Sequence, residues 1–143
     1  MLTPVNMEST VAAYVQIENH VRYLISAGVL KEGDLLPSVR VAAGKCGVNA
    51  NTVTKAYRDL ELMNIVQTRR GVGVTVAPGG EKLSKEFVRN SMPQKIFEAT
   101  REAAAAGFTL ADIQKIVKES KGVDCGPYDA APDTVLKLAR SLN

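Results

Sequence analysis

The stretch that decides the fold is GVNANTVTKAYRDLE, from Gly47 to Glu61. It opens with a glycine turn, and Asn49 is a residue type that caps the N-terminus of a helix well. The next residues are small or polar and are poor helix formers. Beyond them the pattern is that of an amphipathic helix over 50–63, with apolar residues at i, i+3, i+4 and i+7: Val53, Ala56, Tyr57 and Leu60.

The flanking residues predict two more helices and a hairpin. Residues 10–27 have helical periodicity and end at Gly28, with His20 expected on the polar side. After a short extended piece at 31–37, Ser38 is placed to cap a second helix over 38–46. The runs 65–68 and 73–76 are rich in β-forming residues, and "RRGV" lies between them. Two helices joined by a tight turn and followed by a hairpin predict a winged helix-turn-helix over residues 1–77.

The residues after the break "APGG" (77–80) return to a helical pattern. Ser91 and Gln94 match a capping box, which predicts that a helix restarts near Met92 after a short helix or a kink at 82–90. Thr109 and Asp112 match a second box, which predicts a helix over 110–120. The fold is therefore expected to be mainly α with a small β-hairpin: a winged domain, a helical dimerisation segment at 81–120, and a tail at 121–143 with a short helix.

The bulk composition is that of a soluble globular protein: 45% of the 143 residues are apolar, 23% are charged, and the net charge is +3. Residues 40–70 are more basic, with six Lys or Arg against two Asp or Glu, which gives +4. Two distant cysteines and one histidine predict no metal site and no cofactor. The sequence has no signal peptide, membrane span or catalytic motif, so we expect a cytoplasmic protein that is not an enzyme.

The second helix of a helix-turn-helix enters the major groove of DNA with its first turn. Asn51 can pair with an adenine edge, and Thr52 or Thr54 can touch a base or a phosphate. Further basic side chains suit phosphates, and two arginines beside Gly71 would follow the backbone or the minor groove at the wing. Helix capping and a solvated hairpin tip are the simpler readings of each motif alone. The basic residues expected at the DNA are Arg40, Lys55, Arg58, Arg69 and Arg70.

Three stretches carry a resemblance to a known family: YVQIENHVRYLISAGVLKEGDLLPSVR, then GVNANTVTKAYRDLE and TRRGVGVTV. They closely resemble the DNA-binding domain of GntR-type bacterial transcriptional regulators over residues 10–76. The ending AAAAGFTLADIQKIVKES resembles the YtrA-like subfamily, whose members often lie in operons with ABC transporters. The resemblance implies DNA contacts at Arg40, Asn49, Asn51, Thr52 and the wing around Gly71.

The chain departs from the family pattern at four positions. Ala50 stands where arginine or proline is usual, so one arginine contact to a base is missing. Val41 replaces a common glutamate, which removes a capping box from the second helix. Ala42 and Cys46 replace larger leucines, so we expect a lighter core beside that helix.

Residues 81–119 are too few to bury a core by themselves, yet they carry large apolar side chains. The simplest partner is the same segment of a second chain on a palindromic operator, which predicts a homodimeric repressor. Two alternatives remain open: the helices fold back on their own domain in a monomer, or they hold a small-molecule effector. The residues expected in the dimer are Phe87, Ile96, Phe97, Ala99, Ala103, Leu110, Ile113 and Val117.

Overall fold

Three helices build the core of the first part of the chain in a computed structural model that describes residues 2–120. They are α1 (Ala13–Ser26), α2 (Val39–Cys46) and α3 (Ala50–Leu62). Both predicted caps of the helix-turn-helix are formed, with Ser38 and Asn49 accepting from Val41 and Thr52 amides. Gly47 joins α2 to α3 at φ +67°, a left-handed conformation that favours glycine. The predicted helix-turn-helix is confirmed.

A two-stranded antiparallel hairpin follows, formed by β1 (Val66–Arg69) and β2 (Gly73–Val76). The segment before α2 is hydrogen-bonded to β2. Leu35 forms an antiparallel bridge with Thr75, and the Leu36 amide donates to the Val74 carbonyl at 2.8 Å. The Tyr57 hydroxyl of α3 donates to the Pro37 carbonyl at 2.8 Å. These bonds fix the hairpin and the start of α2 to the helical core.

Polar residues of α1 are buried as well as its apolar ones, which the helical pattern did not predict. His20 was expected on the polar side of the helix and is instead 3% exposed, so that prediction is wrong. The N-terminal segment covers one side of α1, where Gln16 bonds to the backbone of Asn6 and Val11. Helix α3 packs on another side.

The same N-terminal segment supplies the core beside α2, where Ala42 and Cys46 are smaller than the residues usual in the family. Leu2 is buried in the same hydrophobic cluster as these two residues, and Val5 packs against that cluster. The Val5 amide also donates to the Cys46 carbonyl at 3.0 Å. Apolar side chains brought from outside the helix-turn-helix thus contribute to this part of the core.

Helix α4 (Gly80–Ala105) is continuous over 26 residues, with Pro93 inside it. The predicted restart near Met92 is therefore wrong. Pro93 lacks an amide hydrogen, so the Arg89 carbonyl loses its helical donor without the helix ending there. The chain divides into two compact units between Arg89 and Asn90, so the first turns of α4 belong with the winged domain.

Helix α5 (Leu110–Ser120) begins at the capping box that the sequence predicted. The Thr109 amide donates to the Asp112 carboxylate at 2.7 Å, and the Asp112 amide donates to the Thr109 hydroxyl at 3.2 Å. The hydrogen bond from the Thr109 amide, and after it the Thr109 side chain, hold the pKa of the Asp112 carboxyl below its usual range. The tail at 121–143, with its predicted short helix, lies outside the described residues.

Candidate nucleic-acid interface

The polar side chains in the first turn of α3 are of two kinds: some bond within the helix end, and one makes no such bond. The Asn49 side-chain oxygen accepts from the Thr52 amide at 2.9 Å and from the Thr52 hydroxyl at 3.1 Å. The Thr54 hydroxyl donates back to the Ala50 carbonyl at 2.9 Å. Asn51 is exposed, and its side-chain amide makes no hydrogen bond within residues 2–120. Asn51 therefore has both its donor and its acceptor available for a base edge.

The basic side chains expected at the DNA are all exposed, but they differ in how they are held. Lys55 lies 2.9 Å from the Asp59 carboxylate and 4.4 Å from the centre of the Tyr14 ring. This hydrogen bond raises the pKa of Lys55 and lowers that of Asp59. Arg40 on α2 and Arg58 on α3 form no ion pair within the part of the chain described, so their charges are the more available to phosphates.

The wing presents its arginines at the tip of the hairpin. Arg69 pairs with Gly73 across the two strands, and the Val72 amide donates to the Arg69 carbonyl at 3.0 Å. Gly71 has φ +76° and open space where a side chain would stand. Arg69 and Arg70 are both exposed and come directly before this turn glycine. The backbone at Gly71 can therefore come close to a duplex, with two positive charges beside it.

The residues expected in the dimer lie on α4 and α5 in two different situations. Most are exposed, including Ile96 at 62%, Phe97 at 61%, Leu110 at 68% and Val117 at 60%, and Ala99 is exposed as well. Ala103 and Ile113 are half-buried. Phe87 differs, because it lies in the first unit with the Arg22 guanidinium 4.1 Å from its ring centre.

Arg22 and the N-terminal segment were not among the residues that the sequence singled out. Arg22 is 5% exposed and contacts residues of α1, α3 and α4. The available signal was the spacing of Glu18 and Arg22 at i and i+4, which is as common on solvated helix faces.

Nothing in residues 2–120 groups three or more side chains that could hold a metal ion. No helix in that range is long and apolar enough to cross a membrane.

Comparison with known proteins agrees with this geometry. The family model described as "Bacterial regulatory proteins, gntR family" matches residues 13–76, which span the helices and the hairpin. The HTH-type transcriptional repressor YtrA of Bacillus subtilis (strain 168) is 31% identical over 115 residues, covering 80% of this chain and 88% of that protein. The chain belongs to the GntR family. It is a transcriptional regulator, and the winged unit is its GntR DNA-binding domain.

Solved structures extend the likeness beyond the winged domain. A transcriptional antiterminator from Listeria monocytogenes EGD-e is 30% identical with a TM-score of 0.61, over 85% of this chain and 90% of that one. YtrA from Sulfolobus acidocaldarius, a GntR-family transcription factor, is 32% identical with a TM-score of 0.52, over 71% and 99%. Both matches cover more of this chain than residues 1–77, so the likeness extends into the helical C-terminal part.

Proposed function

We propose that the chain is a homodimeric repressor that binds a palindromic operator in the cytoplasm. One winged domain reaches only a few base pairs, so two copies on a two-fold site are needed for specificity. The first turn of α3 would enter the major groove, with Asn51 and Arg40 at bases. Gly71 would approach the backbone, with Arg69 and Arg70 beside it. Repression follows if the bound dimer covers a promoter; the relative YtrA of Bacillus subtilis is named a repressor.

One observation supports the proposal of a dimer: none of the residues 90–120 in the second unit is buried. Its apolar side chains Ile96, Phe97, Leu110 and Val117 are each at least 60% exposed. Apolar surface of this kind marks a surface used for association. The exposed Ala99 and half-buried Ala103 would let a second helix approach closely. Phe87 contributes less to this face, because Arg22 already covers its ring.

The alternative, a sensor that binds a small effector in these helices, has less support. A depression on α4 is lined by Glu98, Arg101, Glu102 and Ala105. Another on α5 is lined by Ile113, Gln114, Val117 and Lys118. Each is lined by residues of a single helix and would leave much of a ligand in solvent, whereas effector sites bury most of the ligand surface. Pairing of two chains uses the same apolar side chains directly.

The test is sedimentation of the full chain with Phe97→Glu and Leu110→Glu together. We expect wild-type protein to be dimeric at micromolar concentrations and the double variant to be monomeric, because two charges would be buried in the interface. The variant should retain binding to a half-site and lose at least about tenfold in affinity for a palindrome. Val29→Glu, which adds one charge at an exposed valine of the first unit, is the control for a charge outside the proposed interface and should stay dimeric. A monomeric wild-type protein would contradict the proposal.

A further inference from the structure

Arg22 is a buried guanidinium at a junction of three helices. Its Nη1 donates to the Asn19 side chain on α1 at 3.0 Å. Its Nη2 lies 2.9 Å from the sulfur of Met63, the residue that caps the C-terminus of α3. Its Cζ lies 4.1 Å from the centre of the Phe87 ring on α4. The Arg22 side chain thus contacts both the C-terminal cap of α3 and the first turns of α4.

This arrangement is costly as a means of stability. Arg22 is 5% exposed, its Nε has no hydrogen-bond partner within residues 2–120, and the Glu18 carboxylate is 3.9 Å away. Burial lowers the pKa of Arg22 and raises that of Glu18. An apolar side chain of similar volume would often stabilise such a place as well or better. A guanidinium adds a defined geometry that an apolar side chain lacks. Its edge donates hydrogen bonds to one set of partners, and its flat face stacks on an aromatic ring.

The first turns of α4 present a single face to the winged domain. Gly80 and Ser84 are buried, and Phe87 and Val88 are half-buried, at i, i+4, i+7 and i+8. At the start of this face a Cβ on Gly80 would collide with the carbonyl oxygen of Ile65, the residue before β1. The backbone of α4 therefore begins in close contact with the backbone that leads into β1. At its far end the Phe87 ring lies on Arg22. These two places hold the first turns of α4 on the winged domain.

We infer that Arg22 is a positioning residue that, through Met63 and Phe87, holds the first turns of α4 against the end of α3. The inference rests on the proposed function, in which α4 carries the surface that pairs two chains. In such a dimer the attachment of α4 to the winged domain decides how far apart the two copies of α3 lie. The spacing of half-sites that the protein accepts is then set by Arg22, which itself touches no DNA.

The experiment measures affinity against half-site spacing for the full-length protein. A palindrome selected by wild-type protein from random duplexes supplies the optimum, and duplexes with one or two base pairs inserted or removed supply the neighbours. Each added base pair moves one half-site by about 3.4 Å and about 34° around the helix. The variants are Arg22→Met and Phe87→Leu, which keep apolar volume and remove the stacked pair. Phe87→Tyr keeps the ring and is the matched control.

We expect wild-type protein and Phe87→Tyr to prefer the optimum over its neighbours by at least about tenfold. In Arg22→Met and Phe87→Leu this preference should fall to under about threefold, while affinity for a single half-site stays within about twofold of wild type. A residue with a merely structural role would weaken half-site binding and leave the shape of the spacing profile unchanged.

Two results overturn the inference in distinguishable ways. An unchanged spacing profile in both variants, with a sharp optimum in wild-type protein, overturns the role of Arg22 and leaves the dimeric operator-binding proposal standing. The absence of any spacing preference in wild-type protein overturns both. Should Arg22→Met fail to fold, as judged by circular dichroism, Phe87→Leu decides alone, because Phe87 is only half-buried.

Discussion

Asn49 and Asn51 lie two positions apart at the start of α3 and have different roles in the structure. Asn49 is occupied as the cap, and Asn51 is exposed with its amide unengaged within the described residues. We expect Asn49→Ala to lower the free energy of unfolding by about 0.5–2 kcal/mol, the usual value of an N-cap. Asn51→Ala should leave stability nearly unchanged and relax discrimination at one base pair by about 1–3 kcal/mol.

Thermal unfolding and competition binding with single-base operator variants separate the two asparagines. Asn49→Asp is the control, because it keeps the cap and should restore stability. Equal losses of stability in the two alanine variants would contradict the division of roles. Unchanged base preference in Asn51→Ala would show that Asn51 is not a reading residue.

At this scale the sequence predicted what depends on neighbours along the chain and missed what depends on distant ones. The caps at Ser38, Asn49 and Thr109 are local hydrogen bonds within three residues, and the structure forms each of them. The burial of His20 and Arg22 arises from chain segments that α1 meets only in the folded protein. The apolar periodicity of α1 does not indicate these contacts. A helix that is covered on several sides still has one dominant apolar stripe, and only that stripe is visible in the sequence.

At the scale of elements, α4 belongs to two units and its first turns complete the winged domain. Capping chemistry at Ser91 and Gln94 is consistent with a helix start, yet a continuous helix loses only the one bond that Pro93 cannot make. The sequence therefore located the beginning of the helical segment within one residue, and only the predicted restart near Met92 is wrong. The break at 77–80 is where the hairpin ends, whereas the compact first unit reaches Arg89.

This placement predicts different behaviour for chains ended at Arg89 and at Gly80. The shorter chain loses Ser84 and Phe87, and exposes Arg22 and the surface beneath α4. We expect the chain ending at Arg89 to melt as a folded monomer. The chain ending at Gly80 should be less stable by about 2 kcal/mol, the value of one large buried side chain, or about 10 °C in melting temperature. Differential scanning calorimetry measures both; equal melting temperatures would show that α4 adds nothing to the winged domain.

At the scale of the whole molecule, DNA binding is decided by where the charge lies. The net charge of the chain is only +3, while residues 40–70 carry +4, on α2, α3 and the wing. Lys55 is partly neutralised by Asp59, whereas Arg69 and Arg70 at the hairpin tip form no ion pair within residues 2–120. Phosphate contacts should therefore come more from the wing and Arg58 than from Lys55.

The salt dependence of operator binding tests this distribution. Each neutralised phosphate contributes about −0.9 to the slope of log affinity against log salt concentration. Replacing Arg69 and Arg70 together by alanine should reduce the slope by about 2 for each bound chain and leave circular dichroism and melting unchanged, since both lie at an exposed turn. Lys55→Ala removes one charge that is already paired with Asp59, and it should change the slope by less than half as much as the double wing variant. An unchanged slope in the wing variant would mean that the hairpin does not contact the backbone of the operator.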